Sequence, residues 1–327
     1  LIFPQWRFPI AQAVSFNHPL DGRFVFIFPW DGVTLVGTTD VDHSDHLDEE
    51  PHITPGEVAY LMAAVEARYP SLALTLDDVL ATFAGVRPVI NTGKADPSAE
   101  SRDHVVWLEN GLLTVTGGKL TTFRLIALDA LKAARVALPD MPKIDEDVAA
   151  LNEVTEDLPG VLPEAVRRRL IGRYGVDAAA LVVAAQPGEL ATIPNTNVLW
   201  AELRWAARSE GVVHLDDLLL RRVRLGLLVA EGGAALKARI QAICQAELGW
   251  DAERWAAEWQ LYQKRWEANY SLPPRDAIPD WRPMLHKPEA VTVVVEKKGG
   301  GQTAVAAGLL GTAVALIVLY LSLRKRT

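Results

Sequence analysis

Leu112-Leu113-Thr114-Val115-Thr116-Gly117-Gly118-Lys119-Leu120-Thr121-Thr122-Phe123 is the stretch on which the reading of the fold turns. An Asn110-Gly111 turn precedes it, and its first five residues are strand formers. After two glycines, Leu120, Phe123, Ala127, Ala130 and Leu131 recur at helical spacing. Strand, paired glycines and helix in that order are how α/β proteins bring backbone against a bound group. Amides exposed at a helix start carry partial positive charge and favour an anion there. Read alone, the same residues also describe an ordinary strand-to-helix turn with a surface lysine at Lys119.

Upstream, Leu1 to Pro4 reads as a buried strand, and Phe24–Phe28 and Val33–Val36 read as a hairpin closed through Asp31-Gly32. Thr54-Pro55-Gly56-Glu57 is a capping box that opens a helix running to about Tyr69, where Pro70 stops it. From about 150 to 285 the pattern is helical, with amphipathic stretches at Val161–Tyr174, Val198–Glu210, Asp216–Leu228 and Ala252–Tyr262. Residues 273–302 are rich in proline and charge and read as a linker.

Ala304–Leu323 is 20 residues without a charge, followed by Arg324-Lys325-Arg326. At ~1.5 Å per residue such a helix spans roughly 30 Å, the thickness of a bilayer core. The expectation is a transmembrane helix tethering the protein to the lipid bilayer through 304–323. Ala304 and Gly308, and Ala307, Gly311 and Ala315, recur at four-residue spacing, which permits a possible homodimer of such helices.

The 327 residues carry a net charge of −8, which gives no general electrostatic reason to bind nucleic acid. One cysteine, Cys244, forms no intramolecular disulfide, so a reducing compartment is the default. The acidic run from Asp40 to Asp48 lacks a metal-ligand pattern, and no metal is expected. No charged n-region followed by an apolar stretch and a cleavage site is visible in the sequence, so it shows no signal peptide. Starting in mid-strand reads as a fragment or one half of a split enzyme. No Gly-x-Gly-x-x-Gly pyrophosphate loop occurs anywhere in the chain.

Arg87 stands between Val86 and Pro88 in an apolar stretch, where a buried guanidinium needs an anionic partner. Its planar fork suits phosphate. Arg102 has a bland reading as the partner of Asp103 or Glu100. Asp40 ends the Gly37-Thr38-Thr39-Asp40 strand end, either orienting a hydroxyl or an arginine or closing an Asx turn. Arg221, Arg222 and Arg224 lie on a leucine-rich segment that reads as packing with internal ion pairs, with contact to anionic lipid headgroups as the alternative.

Five segments in order carry a resemblance: Phe24–Trp30 with Gly37–Asp40, Gly85–Pro88, Ser101–Asp103, Gly117–Thr122, and Asp217–Leu225. Together, over about residues 1–270, they resemble the FAD-dependent glycerol-3-phosphate dehydrogenase family. The resemblance implies an α/β (α+β) chain of the D-amino-acid-oxidase and glutathione-reductase type. It would comprise a partial FAD- and substrate-binding domain at 1–145, an all-helical C-terminal domain at 146–285, a linker at 286–302, the transmembrane helix at 303–323 and a basic tail at 324–327. It implies FAD contacts from Gly117, Gly118, Lys119, Leu120, Thr121 and Thr122. Substrate contacts would come from Arg87, Arg102, Lys119 and Asp40, with Arg87 and Lys119 the catalytic pair. The implied reaction is oxidation of sn-glycerol 3-phosphate to dihydroxyacetone phosphate. Electrons would pass to a membrane quinone, from a membrane-anchored enzyme whose catalytic part is cytoplasmic. Oxygen as acceptor and a non-catalytic tethered module are the alternatives. The nucleotide-binding segment and the general base are expected outside this chain.

Overall fold

Alternation of large apolar residues in Phe24–Trp30 (β3) makes a strand with one buried face, carrying Val25 and Ile27, and one open face, carrying Phe24 and Phe26. The structure is a computed structural model that describes residues 1–44, 46–87, 103–151, 153–154 and 157–285, and the backbone of 292–297 and 301–306. Leu1–Pro279 is one compact unit and Asp280–Thr327 a second.

In the first unit, Ile2–Pro4 (β1), Val14–Asn17 (β2), β3 and Val33–Gly37 (β4) form an antiparallel sheet in the order β1-β4-β3-β2. The β3–β4 turn is the expected Asp31-Gly32, both at positive φ (47° and 96°). Glycine is required at Gly32 for a second reason. A Cβ there would lie 2.7 Å from the backbone of Thr196, so only hydrogen lets this turn dock on the helical region. Asn197 donates its backbone N–H to Asp31 O at 3.0 Å, closing that contact.

Pro55–Arg68 (α1) starts with the predicted reciprocal cap, Thr54 N–H donating to Glu57 Oε2 at 2.9 Å and Glu57 N–H to Thr54 Oγ1 at 3.3 Å. The chain then returns beside β1, where Ile2 N–H donates to Ala81 O and Leu80 N–H to Ile2 O. Further on come His104–Glu109 (β5), Leu112–Gly117 (β6) and Phe123–Ala134 (α2).

The helical part contains Glu164–Tyr174 (α3), Ala178–Ala184 (α4), Trp200–Ser209 (α5), Leu225–Leu228 (α6), Lys237–Cys244 (α7) and Ala252–Asn269 (α8). In α8, Trp255, Trp259, Tyr262 and Trp266 repeat at helical spacing and are all buried. With Leu218, Leu219, Leu225 and Ile240 they build a core that also takes in Ile2 and Val33 of the sheet. Cys244 lies in it, and burial pushes its thiol pKa up.

Asp216–Leu228 is not the single helix its pattern suggested. Asp217–Arg222 is π-helical, and Arg224 sits in the left-handed region at φ 62°. The break lets the Arg224 guanidinium lie 5.1 Å from the Trp30 ring centroid and 3.8 Å from Asp31. Arg221 and Arg224 make the internal ion pairs read for this segment. Arg221 pairs with Asp216 at 2.6 Å, and Arg222 O accepts a hydrogen bond from Arg173.

The second unit departs further from expectation. It contains Arg282–Leu285 (α9) and an antiparallel hairpin of Thr292–Lys297 (β7) and Gly301–Ala306 (β8), where a linker and the start of a transmembrane helix were expected. The run of β-branched residues from Val291 to Val295 favours strand over linker. Among the described residues no helix is long and apolar enough to cross a membrane. Residues 307–323 of the expected span lie outside them.

Asp31, only 13% exposed, receives Arg169 at 2.9 Å and Arg173 at 3.2 Å. Arg169 continues to the fully buried Glu202 at 2.7 Å, and the Tyr174 hydroxyl donates to Glu202 at 2.7 Å. Burial opposes the charge on Arg169, but Glu202 and Asp31 outweigh it and raise its pKa. Removing one partner of a buried pair strands the other. Asp31→Ala is therefore expected to cost about 3–5 kcal/mol in urea unfolding. Asp77→Ala, at an exposed pair with Arg275, should change stability by less than about 0.5 kcal/mol.

Acid should unfold the protein partly through Glu247. Hydrogen bonds from Arg208, opposed by burial and reinforced by Arg204, hold its carboxyl below the ordinary 4.5. A depressed folded pKa contributes stability that is complete above 4.5 and is lost as pH falls through the folded value. Glu247→Gln should flatten the acid limb of Tm against pH; an unchanged limb would remove Glu247 from that role.

Candidate functional site

The strand–glycine–helix segment folds as its sequence suggested. β5 and β6 pair from His104↔Gly117 to Glu109↔Leu112 around Asn110-Gly111, both at positive φ as a two-residue hairpin requires. Gly117 and Gly118 follow at φ 75° and 81°. A Cβ on Gly118 would stand 2.5 Å from Ile126 Cδ1 and 3.2 Å from His104 Cβ, so the bend lies tight against its own hairpin and helix. Gly118 N–H donates to Asp103 O at 3.1 Å.

Lys119 is extended, and Thr122 closes the turn. Thr122 Oγ1 donates to Lys119 O at 2.9 Å, and Thr122 N–H to the same oxygen at 2.9 Å. The amides of Leu120 and Thr121 find no acceptor among the described residues. They are the uncompensated donors of a helix start. Lys119, Leu120 and Thr121 are all open to solvent, Leu120 at 89%. The donor set (free first-turn amides and an ammonium) fits the electron-rich edge of a flavin ring or another anionic group. It does not include a site for the pyrophosphate of a dinucleotide.

The second group gathers at the far end of β4. Arg87 Nη2 lies 2.9 Å from both carboxylate oxygens of Asp40, so the anionic partner expected for Arg87 is Asp40 itself. The arginine is not buried; its side chain is 45% exposed. Asp40 is held from behind by Arg23 Nη1, which donates to its carbonyl oxygen at 2.7 Å. Thr39 Oγ1 donates to Glu57 Oε1 at 2.6 Å, so the α1 cap also pins the strand end.

Arg102 lies outside the described residues, as does the 88–102 segment that joins the two groups. Among the described residues no hydrogen bond or ion pair links the Arg87–Asp40 pair to the Gly117–Thr122 turn. The sequence reading missed Arg23 and Glu57 as supports of Asp40. It also missed a pair beneath the turn, His104 Nε2 to Asp129 Oδ2 at 2.9 Å. Glu57 carried a signal, but only as a cap. The 25-residue spacing of His104 and Asp129 carried none.

Two sequence-family models match the chain: FAD dependent oxidoreductase over residues 2–124, and the C-terminal domain of alpha-glycerophosphate oxidase over residues 140–255. A glycerol-3-phosphate dehydrogenase of Mycobacterium leprae (strain TN) is 33% identical over 294 residues, covering 83% of this chain and 49% of the relative. An aerobic glycerol-3-phosphate dehydrogenase of Staphylococcus aureus (strain USA300) is 30% identical over 244 residues, covering 68% of this chain and 44% of the relative. The chain thus spans about half the length of the curated relatives it matches. Among solved structures, the glycerol-3-phosphate dehydrogenase from Bacillus halodurans complexed with FAD superposes with a TM-score of 0.59. It is 23% identical and covers 81% of this chain and 55% of that one, a likeness of fold. Two adjoining domain models in the family's order, and relatives of one name along most of the chain, lead to one assignment: the chain belongs to the FAD-dependent glycerol-3-phosphate dehydrogenase family.

Proposed function

We propose that this protein takes part in the FAD-dependent oxidation of sn-glycerol 3-phosphate at C2 to dihydroxyacetone phosphate, with electrons leaving to a quinone. The observation that carries the reading is the bend at Gly117–Thr122, whose free amides and lysine form a positive rim at the start of α2. FAD, when bound, supplies the hydride acceptor. In this reading Leu120 and Thr121 place backbone donors along the flavin edge where negative charge gathers on reduction, while Gly118, its own N–H bonded to Asp103 O, shapes the bend that presents them. Lys119 adds a full positive charge beside the reacting alcohol.

Arg87 is the phosphate-binding residue of this scheme, and Arg102 a second arginine assigned to the substrate. Asp40 positions Arg87 and is itself fixed by Arg23. Residues 1–145 are then the partial flavin and substrate portion, and 146–285 the helical portion that supports it.

The exposed side of α2 bears on how the site is completed. Phe123, Ala127 and Leu131 form an apolar stripe open to solvent, while Ile126 and Ala130 turn towards the hairpin. We place on that stripe the part of the relatives' length that this chain does not match, where a nucleotide-binding loop belongs. That the relatives are named dehydrogenases favours a quinone over oxygen; the oxidase named by the C-terminal model makes oxygen the second reading.

The full-length protein, purified with FAD, should show a flavin spectrum that glycerol 3-phosphate bleaches without air. Reoxidation should be faster with a soluble quinone than with oxygen. No bound flavin sinks the reading, and fast peroxide formation moves it to the oxidase. Arg87→Ala should lower kcat/KM by roughly 10- to 100-fold, the worth of a charge-assisted hydrogen bond to phosphate. Unchanged kinetics would take Arg87 out of the site.

A further inference from the structure

We infer that His104 and Asp129 are a positioning pair that holds the Gly117–Thr122 bend at the distance the flavin edge requires. The inference rests on the function proposed above and concerns residues outside the set that touches cofactor or substrate there. His104 opens β5 opposite Gly117, so its side chain lies directly beneath the bend. A Cβ added at Gly118 would stand 3.2 Å from the His104 Cβ, so the bend lies close against the start of β5. Its ring is 17% exposed, and Nε2 reaches Asp129 Oδ2 at 2.9 Å. Asp129 lies midway along α2, the helix whose first turn carries the free amides.

The magnitudes show why this one contact matters. No residue of β5, β6 or α2 is fully buried, in contrast with the tryptophan core of the helical part. Apolar burial of α2 on the hairpin is therefore only partial. A hydrogen bond to a carboxylate adds to it a directional tie that partial apolar contact does not supply. With Gly118 N–H bonded to Asp103 O, the pair ties both sides of the bend: the start of β5 and the body of α2. A displacement of the amides by a fraction of an ångström weakens their attraction for charge on the flavin edge. The reduced flavin carries more of that charge, so its binding suffers more than that of the oxidised form.

The test uses the full-length, flavin-loaded protein and its apoprotein. His104→Phe keeps ring volume but removes the bond. It should weaken FAD binding about tenfold or more, and weaken the reduced form a further tenfold relative to the oxidised form. That second loss lowers the two-electron potential by about 30 mV. The melting of the helical core, followed in the far ultraviolet without FAD, should stay at its wild-type value. A double variant, His104→Asp with Asp129→His, rebuilds the bond in reverse and should recover most of the affinity and potential. Asp129→Asn keeps an acceptor oxygen and should fall between wild type and His104→Phe. The inference is overturned by wild-type affinity and potential in His104→Phe. It is equally overturned by failure of the swap to restore either, or by core melting that falls in step with affinity. A wild-type protein that binds no FAD defeats the proposed function first and this inference with it. A wild-type protein that binds FAD while His104→Phe binds it equally well defeats the inference alone.

Discussion

The carboxylate of Asp31, enclosed by Arg169 and Arg173, is the constraint on which the arrangement of the first unit depends. It sits at the tip of the β3–β4 hairpin, and the arginines belong to α3 of the helical part. A charge taken this far out of water is tolerable only where it is paired and hydrogen-bonded. The tip is therefore locked in one orientation, with Gly32 giving the clearance and Asn197 the backbone contact. From that lock β4 runs about 17 Å to its other end at ~3.4 Å per residue. There Thr39 and Asp40 stand at the candidate substrate edge. The segment from Asp31 to Asp40 is thus held at both ends, by the pairs of Asp31 at one and, just beyond β4, by Glu57 on Thr39 and Arg23 on Asp40 at the other.

Burial is distributed unevenly, and the unevenness follows function. The helical part holds the tryptophans and leucines at full burial, while the hairpin and helix that carry the glycine bend have no fully buried residue. Elements with few buried contacts open at low free energy. Such a segment, read above as the flavin-facing one, becomes rigid only through specific polar contacts or through whatever covers it. That is the physical reason the His104–Asp129 bond outweighs its size, and the reason the Phe123–Ala127–Leu131 stripe matters to the completed site.

What the sequence made legible was local chemistry. The Thr54–Glu57 box, the Asp31-Gly32 and Asn110-Gly111 turns and the Gly117-Gly118 bend all depend on residues within four positions of one another. Each appeared where it was expected. Contacts between distant residues left no such trace. Arg169 reaches Asp31 across 138 residues, and nothing near either marks the other. The break at Arg224 is a tertiary decision: a left-handed residue is strained by itself and is retained because Trp30 and Asp31 receive its side chain. At Thr292–Val295 charge and glycine around a β-branched run point to a linker, whereas the run itself forms a strand. For the candidate site, the turn and the arginine were legible, whereas the supports that aim them were not.

The Arg87–Asp40 pair shows how a site can hold its arginine ready without sequestering it. A half-exposed ion pair is worth about 0–1 kcal/mol, because water already solvates both charges. A phosphate accepts two charge-assisted hydrogen bonds from the same planar fork, each about 1.5–3 kcal/mol. Under the proposed function the exchange would run towards phosphate, while Asp40 keeps its own place through the bond from Arg23 to its backbone oxygen. Under the proposed function, a carboxylate released from its arginine would stand beside the bound polyol. Asp40 would then accept from hydroxyl groups, so that a single pair would give the empty site its order and the filled site its orientation.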